Sequence, residues 1–206
     1  MGSSEGTGVP VTISTEPVTL TETKIHLGLA TTTAAAAAYT NQDALLNRLI
    51  TTARIQTEQE IGRALITQTK EYYLDGWPRG DEIIIPYPPL QSATVTYRLE
   101  DDDDYDNTLS TVDTDIVSEP GRIILQPGET WPSGTLYSDK PIKIEFDCGY
   151  GDDADDVPET IRQAMLLKLT DLYEHRGQVV IGVAVNKING AVDSLLASYK
   201  IWTEFD

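Results

Sequence analysis

From residue 41 onward apolar side chains recur at helical offsets. Leu45, Leu46, Leu49, Ile50, Ala53 and Ile61 fall on one side, and Gly62 follows where a left-handed cap would sit. The spacing predicts a helix over 41–61 with Thr40 or Asn41 as N-cap. Upstream, Thr19 and Glu22 fit a capping box, which predicts a short helix over 19–28 with Leu20 and Ile25 turned inward. The Thr/Ala-rich stretch 31–38 mixes β-branched residues that oppose a helix with alanines that favour one, and it reads as a variable connector. Between 64 and 150 the period switches to two, with strands over 67–74, 82–87, 93–99, 122–126 and 141–148 separated by Gly and Pro turns. In the last of these, Ile142, Ile144 and Phe146 share one face while Lys143, Glu145 and Asp147 share the other. Trp77-Pro78 and Trp131-Pro132 echo one another, too briefly to make a repeat.

Beyond the strands, Pro158 suits the first turn of a helix over 158–176. Ile161, Met165, Leu166, Leu169, Leu172 and Tyr173 fall on one arc of that helix, Arg162 lies within the arc, and Leu167 points away from it. An apolar segment at 179–185 and a short amphipathic helix over 192–202 close the pattern. The fold class is therefore α+β: a small helical bundle (19–28, 41–61, 158–176, 192–202) with a β-rich module inserted between the second and third main helices. The expected division is a flexible leader over 1–16, a helical core made of 17–63 and 151–206, and a β-module over 64–150.

Charge narrows the partners. The chain has 206 residues, 15 basic against 33 acidic, a formal charge of −18 and one cysteine. Such a surface repels phosphate, which argues against docking on duplex DNA through neutralised phosphates. One cysteine makes no internal bridge. No apolar run approaches the ~20 residues of a membrane-spanning helix, and no basic region followed by an apolar core marks an export signal.

Candidate chemistry fails on inspection. Gly149-Tyr-Gly151-Asp-Asp-Ala154 has the form of a dinucleotide loop, but Asp152, Asp153, Asp155 and Asp156 would confront the pyrophosphate. Those acids suit helix caps better. The acidic runs at 101–106 and 152–156 miss the register of a calcium loop and read as solvated loops. Cys148 reads as a strand-end residue and His175 as a helix C-terminus, and neither sits in a nucleophile signature with His26. No catalytic residue, metal ligand or cofactor is assigned.

Seven strings, in order, carry a resemblance. They are Pro17-Val-Thr-Leu-Thr-Glu-Thr-Lys-Ile-His-Leu27, Gly62-Arg-Ala-Leu-Ile-Thr-Gln-Thr69, Tyr73-Leu-Asp-Gly-Trp77, Ile85-Pro-Tyr-Pro-Pro-Leu-Gln-Ser92, Gly149-Tyr-Gly151, Val157-Pro-Glu-Thr-Ile-Arg-Gln-Ala-Met-Leu-Leu167 and Val192-Asp-Ser-Leu-Leu-Ala-Ser-Tyr-Lys-Ile-Trp202. Together they resemble the tailed-bacteriophage head–tail connector (gp6-like adaptor) family, which also occurs in prophages and gene-transfer agents. The resemblance implies a non-enzymatic virion neck protein, assembled in the host cytoplasm. It would form a twelvefold ring with copies of itself, dock on the portal protein and present a platform for a downstream neck or tail protein. Packaged DNA would pass through without specific binding.

In related adaptors the C-terminal segment engages the portal. Here that segment carries Leu195, Leu196, Tyr199, Ile201, Trp202 and Phe205, an apolar-aromatic set of the kind that anchors interfaces. Subunit contacts would fall to Leu167 and to Val179, Val180, Ile181 and Val183. The chain departs from shorter members at 31–38 and 100–107. Competing readings are a stopper or tail-completion protein of the same neck, and a carbohydrate-binding or hydrolytic β-module with helical flanks.

Overall fold

A computed structural model describes residues 13, 15–175 and 186–201. The fold is α+β, and the described residues divide into two compact units: a helical unit formed by 15–66 together with 150–201, and a β unit formed by Thr67–Gly149. No helix among the described residues is long and apolar enough to cross a membrane.

The helical unit starts with α1 (Leu20–His26), whose capping box is present: the Glu22 amide donates to Thr19 Oγ1 at 3.1 Å, and the Thr19 amide donates to Glu22 Oε2 at 3.4 Å. Its inward face matches expectation at Leu20, which packs on the core, and departs from it at Ile25. Thr23 and Lys24 are buried, Leu20 is half-buried and Ile25 is exposed. Lys24 turns the helix, because its ammonium lies 2.7 Å from Asp43 Oδ1 and donates to the Ala36 carbonyl at 2.9 Å. That carbonyl belongs to α2 (Thr33–Ala38), which replaces the connector expected over 31–38. Thr32 sits at the N-cap, where its hydroxyl accepts from the Ala35 amide at 3.1 Å, so β-branching costs no helix interior position.

The long helix α3 (Asp43–Ile61) ends as expected at Gly62 with φ of 70°. At its start Gln42, not Thr40 or Asn41, takes the N-cap position, with no side-chain cap bond. After a 3-10 turn at Ala154–Asp156, α4 (Glu159–Glu174) begins with Pro158 as N-cap and ends at His175. Its buried residues Ile161, Met165, Leu166 and Leu169 follow the expected arc. Ile50, Ala53 and Leu169 form a core cluster, with Leu20, Leu27, Leu49 and Leu172 packed on it. The closing helix α5 (Asn186–Leu196) starts and stops earlier than the predicted 192–202. Residues 197–201 leave it as a strap along α3. Arg63 Nε donates to the Tyr199 carbonyl at 2.7 Å, the Ile201 amide donates to the Ile61 carbonyl at 3.0 Å, and Lys200 pairs with Glu60 at 3.0 Å. Lys168 of α4 meets the same Glu60 at 2.7 Å.

The β unit holds two antiparallel sheets. One has the order β1 (Gln68–Leu74), β7 (Ile142–Cys148), β3 (Leu90–Tyr97), β4 (Asn107–Thr108); the other has β2 (Glu82–Ile84), β6 (Arg122–Leu125), β5 (Val112–Asp115). Ile142, Ile144 and Phe146 are buried and Glu145 is exposed, as the alternation predicts. Strands β4 and β5 were not predicted, because two residues, or a Val-Asp-Thr-Asp run, carry no apolar alternation. Part of the acidic loop is structural: Asp102 Oδ2 accepts from the Leu99 amide at 2.8 Å and from Asn107 Nδ2 at 2.6 Å. The two Trp-Pro echoes meet in space, with the Trp77 and Trp131 rings stacked at 5.1 Å and Tyr97 edge-on to Trp77 at 5.4 Å.

Gly149-Tyr-Gly151 has a backbone explanation. Gly149 takes φ of 133° and donates to the Pro89 carbonyl at 2.9 Å, while the Tyr150 amide donates to the Leu65 carbonyl at 3.1 Å. Gly151 lies against Asp156, where an added Cβ would come within 2.7 Å of the Asp156 Cβ. Asp153 and Asp156 form a reciprocal capping box across the 3-10 turn.

Two outcomes follow. Gly151→Ala should displace Asp156 and lower stability by about 1–2 kcal/mol, the scale of a lost cap. Asp156→Ala should cost about 1 kcal/mol, and the double variant should add little to Gly151→Ala, since both remove one box. Thermal melts of the three variants check this. Glu60 titrates below its ordinary 4.5: burial alone would raise it, but the Lys168 and Lys200 ammoniums outweigh that. A carboxylate with a lowered folded pKa contributes stability above its unfolded value and loses it as pH falls through the folded one. Glu60→Gln should therefore melt below wild type at neutral pH, and the gap should close as pH drops under 4.5. A gap that persists unchanged into acid would contradict the pairing.

Candidate interface surfaces

Two of the side chains that could carry chemistry, Cys148 and His175, make structural contacts. Cys148 is buried at the end of β7, with its sulfur 3.5 Å from the Gln68 carbonyl. His175 caps α4, its Nδ1 3.0 Å from the Asp171 carbonyl and 3.0 Å from Asp171 Oδ1. His26 is the last residue of α1. Within the 152–156 cluster, Asp153 and Asp156 cap the 3-10 turn rather than α4, and Asp155 turns to Arg162 at 3.0 Å. Among the described residues no group of three or more His, Cys, Asp and Glu converges in a way that could hold a metal ion.

Arg162 explains its place in an apolar arc. Its guanidinium reaches Glu22 at 3.1 Å, Asp155 at 3.0 Å and Glu159 at 3.3 Å, joining α1 to the start of α4. Burial works against the charge, yet Glu22 and its companions raise the pKa above the ordinary value. Glu22 thus serves two roles, closing the box on Thr19 and neutralising Arg162.

The end of α5 and the strap hold four of the predicted contact residues. Leu196 is fully buried and serves the packing of its own unit, while Leu195, Tyr199 and Ile201 are half-buried. Ile201 lies near Gly62, where a Cβ would sit 3.6 Å from the Ile201 Cβ. Trp202 and Phe205 lie outside the described residues, as do Val179, Val180, Ile181 and Val183. Leu167 stands half-buried on α4. Beside the strap an open groove of about 440 Å³ runs between α3, α4 and α5, lined by Gln56, Glu60, Lys168, Asp171, Leu172, Val192 and Asp193. Lys200 links Glu60 to Asp193, at 3.0 and 3.3 Å, and those two carboxylates raise its pKa. Sequence reasoning missed this arrangement. Gln56 and Glu60 share a helical face at i,i+4, but Lys168, which pairs with Glu60, lies 108 residues away.

In the β unit, the outer face of the larger sheet is polar and paired. Lys143 meets Glu71 at 2.7 Å, and Thr69 and Ser92 both donate to Asp147, at 2.6 and 2.9 Å. Burial first, then its bond to Glu71, pushes the Tyr73 phenol up to about 12, so it remains a donor. Arg98 lies over the Tyr137 ring at 3.6 Å and the Tyr105 ring at 5.2 Å.

No protein-family model matches the chain, and no curated protein matches it. Solved structures do. A chain from the virion of a native gene transfer agent (GTA) particle aligns with TM-score 0.72 and 18% identity, over 96% of this chain and 99% of that one. A chain from the neck of an empty GTA particle, computed with C6 symmetry, aligns with TM-score 0.69 and 19% identity, over 100% of this chain and 96% of that one. A chain from the neck of a native GTA particle, computed with C12 symmetry, aligns with TM-score 0.64 and 20% identity, over 80% and 86%. The chain shares its fold, nearly end to end, with components of these phage-like particles.

Proposed function

We propose that the chain is a structural, non-enzymatic head–tail connector of a phage-like particle. It forms a ring in the neck, docks on the portal and links to the next neck or tail protein. The observation that carries this reading is the fold shared over 96% of this chain and 99% of the GTA virion chain. The neck chains computed with C6 and C12 symmetry support a twelvefold ring of copies. A charge of −18 suits a passage through which DNA slides, because repulsion of phosphate prevents adhesion.

Portal docking is assigned to the strap and the residues after it. Leu195 at the end of α5 and Tyr199 and Ile201 on the strap are half-buried, with Trp202 and Phe205 following in sequence, while the buried Leu196 anchors the end of α5 from which the strap leaves. The paired Lys200 and Arg63 hold the strap's backbone in place, which lowers the ordering cost of docking. Copy-to-copy contact is assigned to Leu167 and to the segment holding Val179, Val180, Ile181 and Val183.

Co-purification with a portal ring, followed by particle imaging, tests the reading. The expected image places the chain as a ring against the portal; a ring set apart from the portal would favour the stopper or tail-completion role instead. Tyr199→Asp should weaken portal binding by about tenfold or more, the scale of a lost aromatic anchor, while shifting the melting temperature by only a few degrees. Unchanged binding would remove the strap from the interface.

A further inference from the structure

The smaller sheet of the β unit has one buried face and one open face. Ile83, Ile123 and Leu125 turn inward and are buried. Alternation and register put Ile84 and Ile124 on the other face, where Ile84 is exposed and Ile124 half-buried. Beyond this face the β5–β6 hairpin ends in Ile116 and Val117, exposed to 51% and 88%. Val117 is the most exposed large apolar side chain among the described residues.

The tip is rigid. Asp115 Oδ1 accepts from the Val117 amide at 3.0 Å and the Ser118 amide at 3.1 Å, and its Oδ2 accepts from the Ser118 hydroxyl at 2.6 Å. Those bonds keep the carboxyl ionised by holding it below the usual range. Arg122 braces the turn from the next strand, donating to Ser118 Oγ at 3.1 Å and to Glu82 at 3.0 Å. Two apolar side chains fixed in water by a network of six groups represent a cost that a loop of polar residues would avoid, and a pre-ordered contact recovers it on binding.

Charge selects the occupant. The β unit carries six Lys and Arg against seventeen Asp and Glu, net −11. On the open face Arg122 pairs with Glu82 and Asp115, and Asp113 adds a third carboxylate beside them. A second β unit would bring like charge, and nucleic acid or an anionic lipid surface would do the same. We propose that the Ile116–Val117 tip and the adjoining face are the docking point for a different protein of the particle, one presenting an apolar depression rimmed by lysine or arginine. The inference rests on the neck reading above and gives the chemistry of one partner in it.

The test installs the photo-cross-linking residue p-benzoyl-phenylalanine in place of Val117 in the full chain, in cells that produce the particles, and irradiates purified particles. The expected adduct is to another virion protein, through a peptide that carries Lys or Arg. Val117→Asp should leave the purified chain's melting temperature unchanged and keep the chain in particles, while the content of that same virion protein falls by about tenfold. An adduct to a second copy of the chain, or none in particles that contain the photoprobe, overturns the docking point while leaving the neck reading intact. Absence of the wild-type chain from purified particles overturns the neck reading and the docking point together.

Discussion

The packing of α4 on α3 is the contact on which the helical unit depends. Its two chain stretches, 15–66 and 150–201, are separated by the whole β unit, and neither closes an apolar core alone. Leu169 enters between Ile50 and Ala53, and two ion pairs tie the same stretches together, Arg162 to Glu22 and Lys168 to Glu60. Side chains in these pairs are partly buried, so losing one partner strands a charge in a poorly solvated place. Two further contacts of the unit inherit this arrangement. The box on Thr19 needs Glu22 where Arg162 holds it, and the strap needs Glu60 where Lys168 holds it.

A chain that leaves a bundle, builds two sheets and returns must re-enter at a defined point. That constraint falls on Gly149 to Gly151. Gly149 supplies a backbone angle other residues resist, Tyr150 closes on Leu65, and Gly151 makes room for the Asp156 carboxylate. The string resembles a phosphate loop because both uses need glycine where backbone is approached closely. Here the approaching group is the chain's own carboxylate, which takes the position an anionic ligand would need.

Legibility in the sequence followed the length and purity of each pattern. Strand β7 and helix α3 could be placed because the seven residues of β7 alternate strictly and the apolar residues of α3 recur at helical offsets over 45–53 and again at Ile61 before Gly62. Strands β4 and β5 could not, being short, polar and stabilised by neighbours rather than by their own alternation. On α1 hydrophobicity places Leu20 against the core correctly but not Ile25, which is exposed, because a buried ion pair turns Lys24 inward instead. The same pair explains α2, whose last turn supplies a carbonyl to the ammonium. The strap was visible only as an apolar-aromatic string. Leu196 is buried at the end of α5, and the half-buried Tyr199 and Ile201 are held by the Arg63 side chain and the Ile61 carbonyl, contacts that no local spacing encodes. The ordered likeness of strings to head–tail connectors and the fold shared with GTA chains point the same way, although 18–20% identity is too low for either to follow from the other.

The charge gains a second meaning from this division. Screening at physiological salt confines electrostatic repulsion to about 8 Å, so acids repel DNA only where the backbone passes close to them. The same short range governs copies of the chain. Each carries −18, most of it on the β unit, so free copies repel at contact distance and gain nothing electrostatic by meeting. In the proposed ring, association must come from apolar contact and from partners of opposite charge. On that proposal the chain would stay dispersed until a basic, apolar partner is present, and its acidity would bear on the order of assembly as well as on the ease of DNA passage.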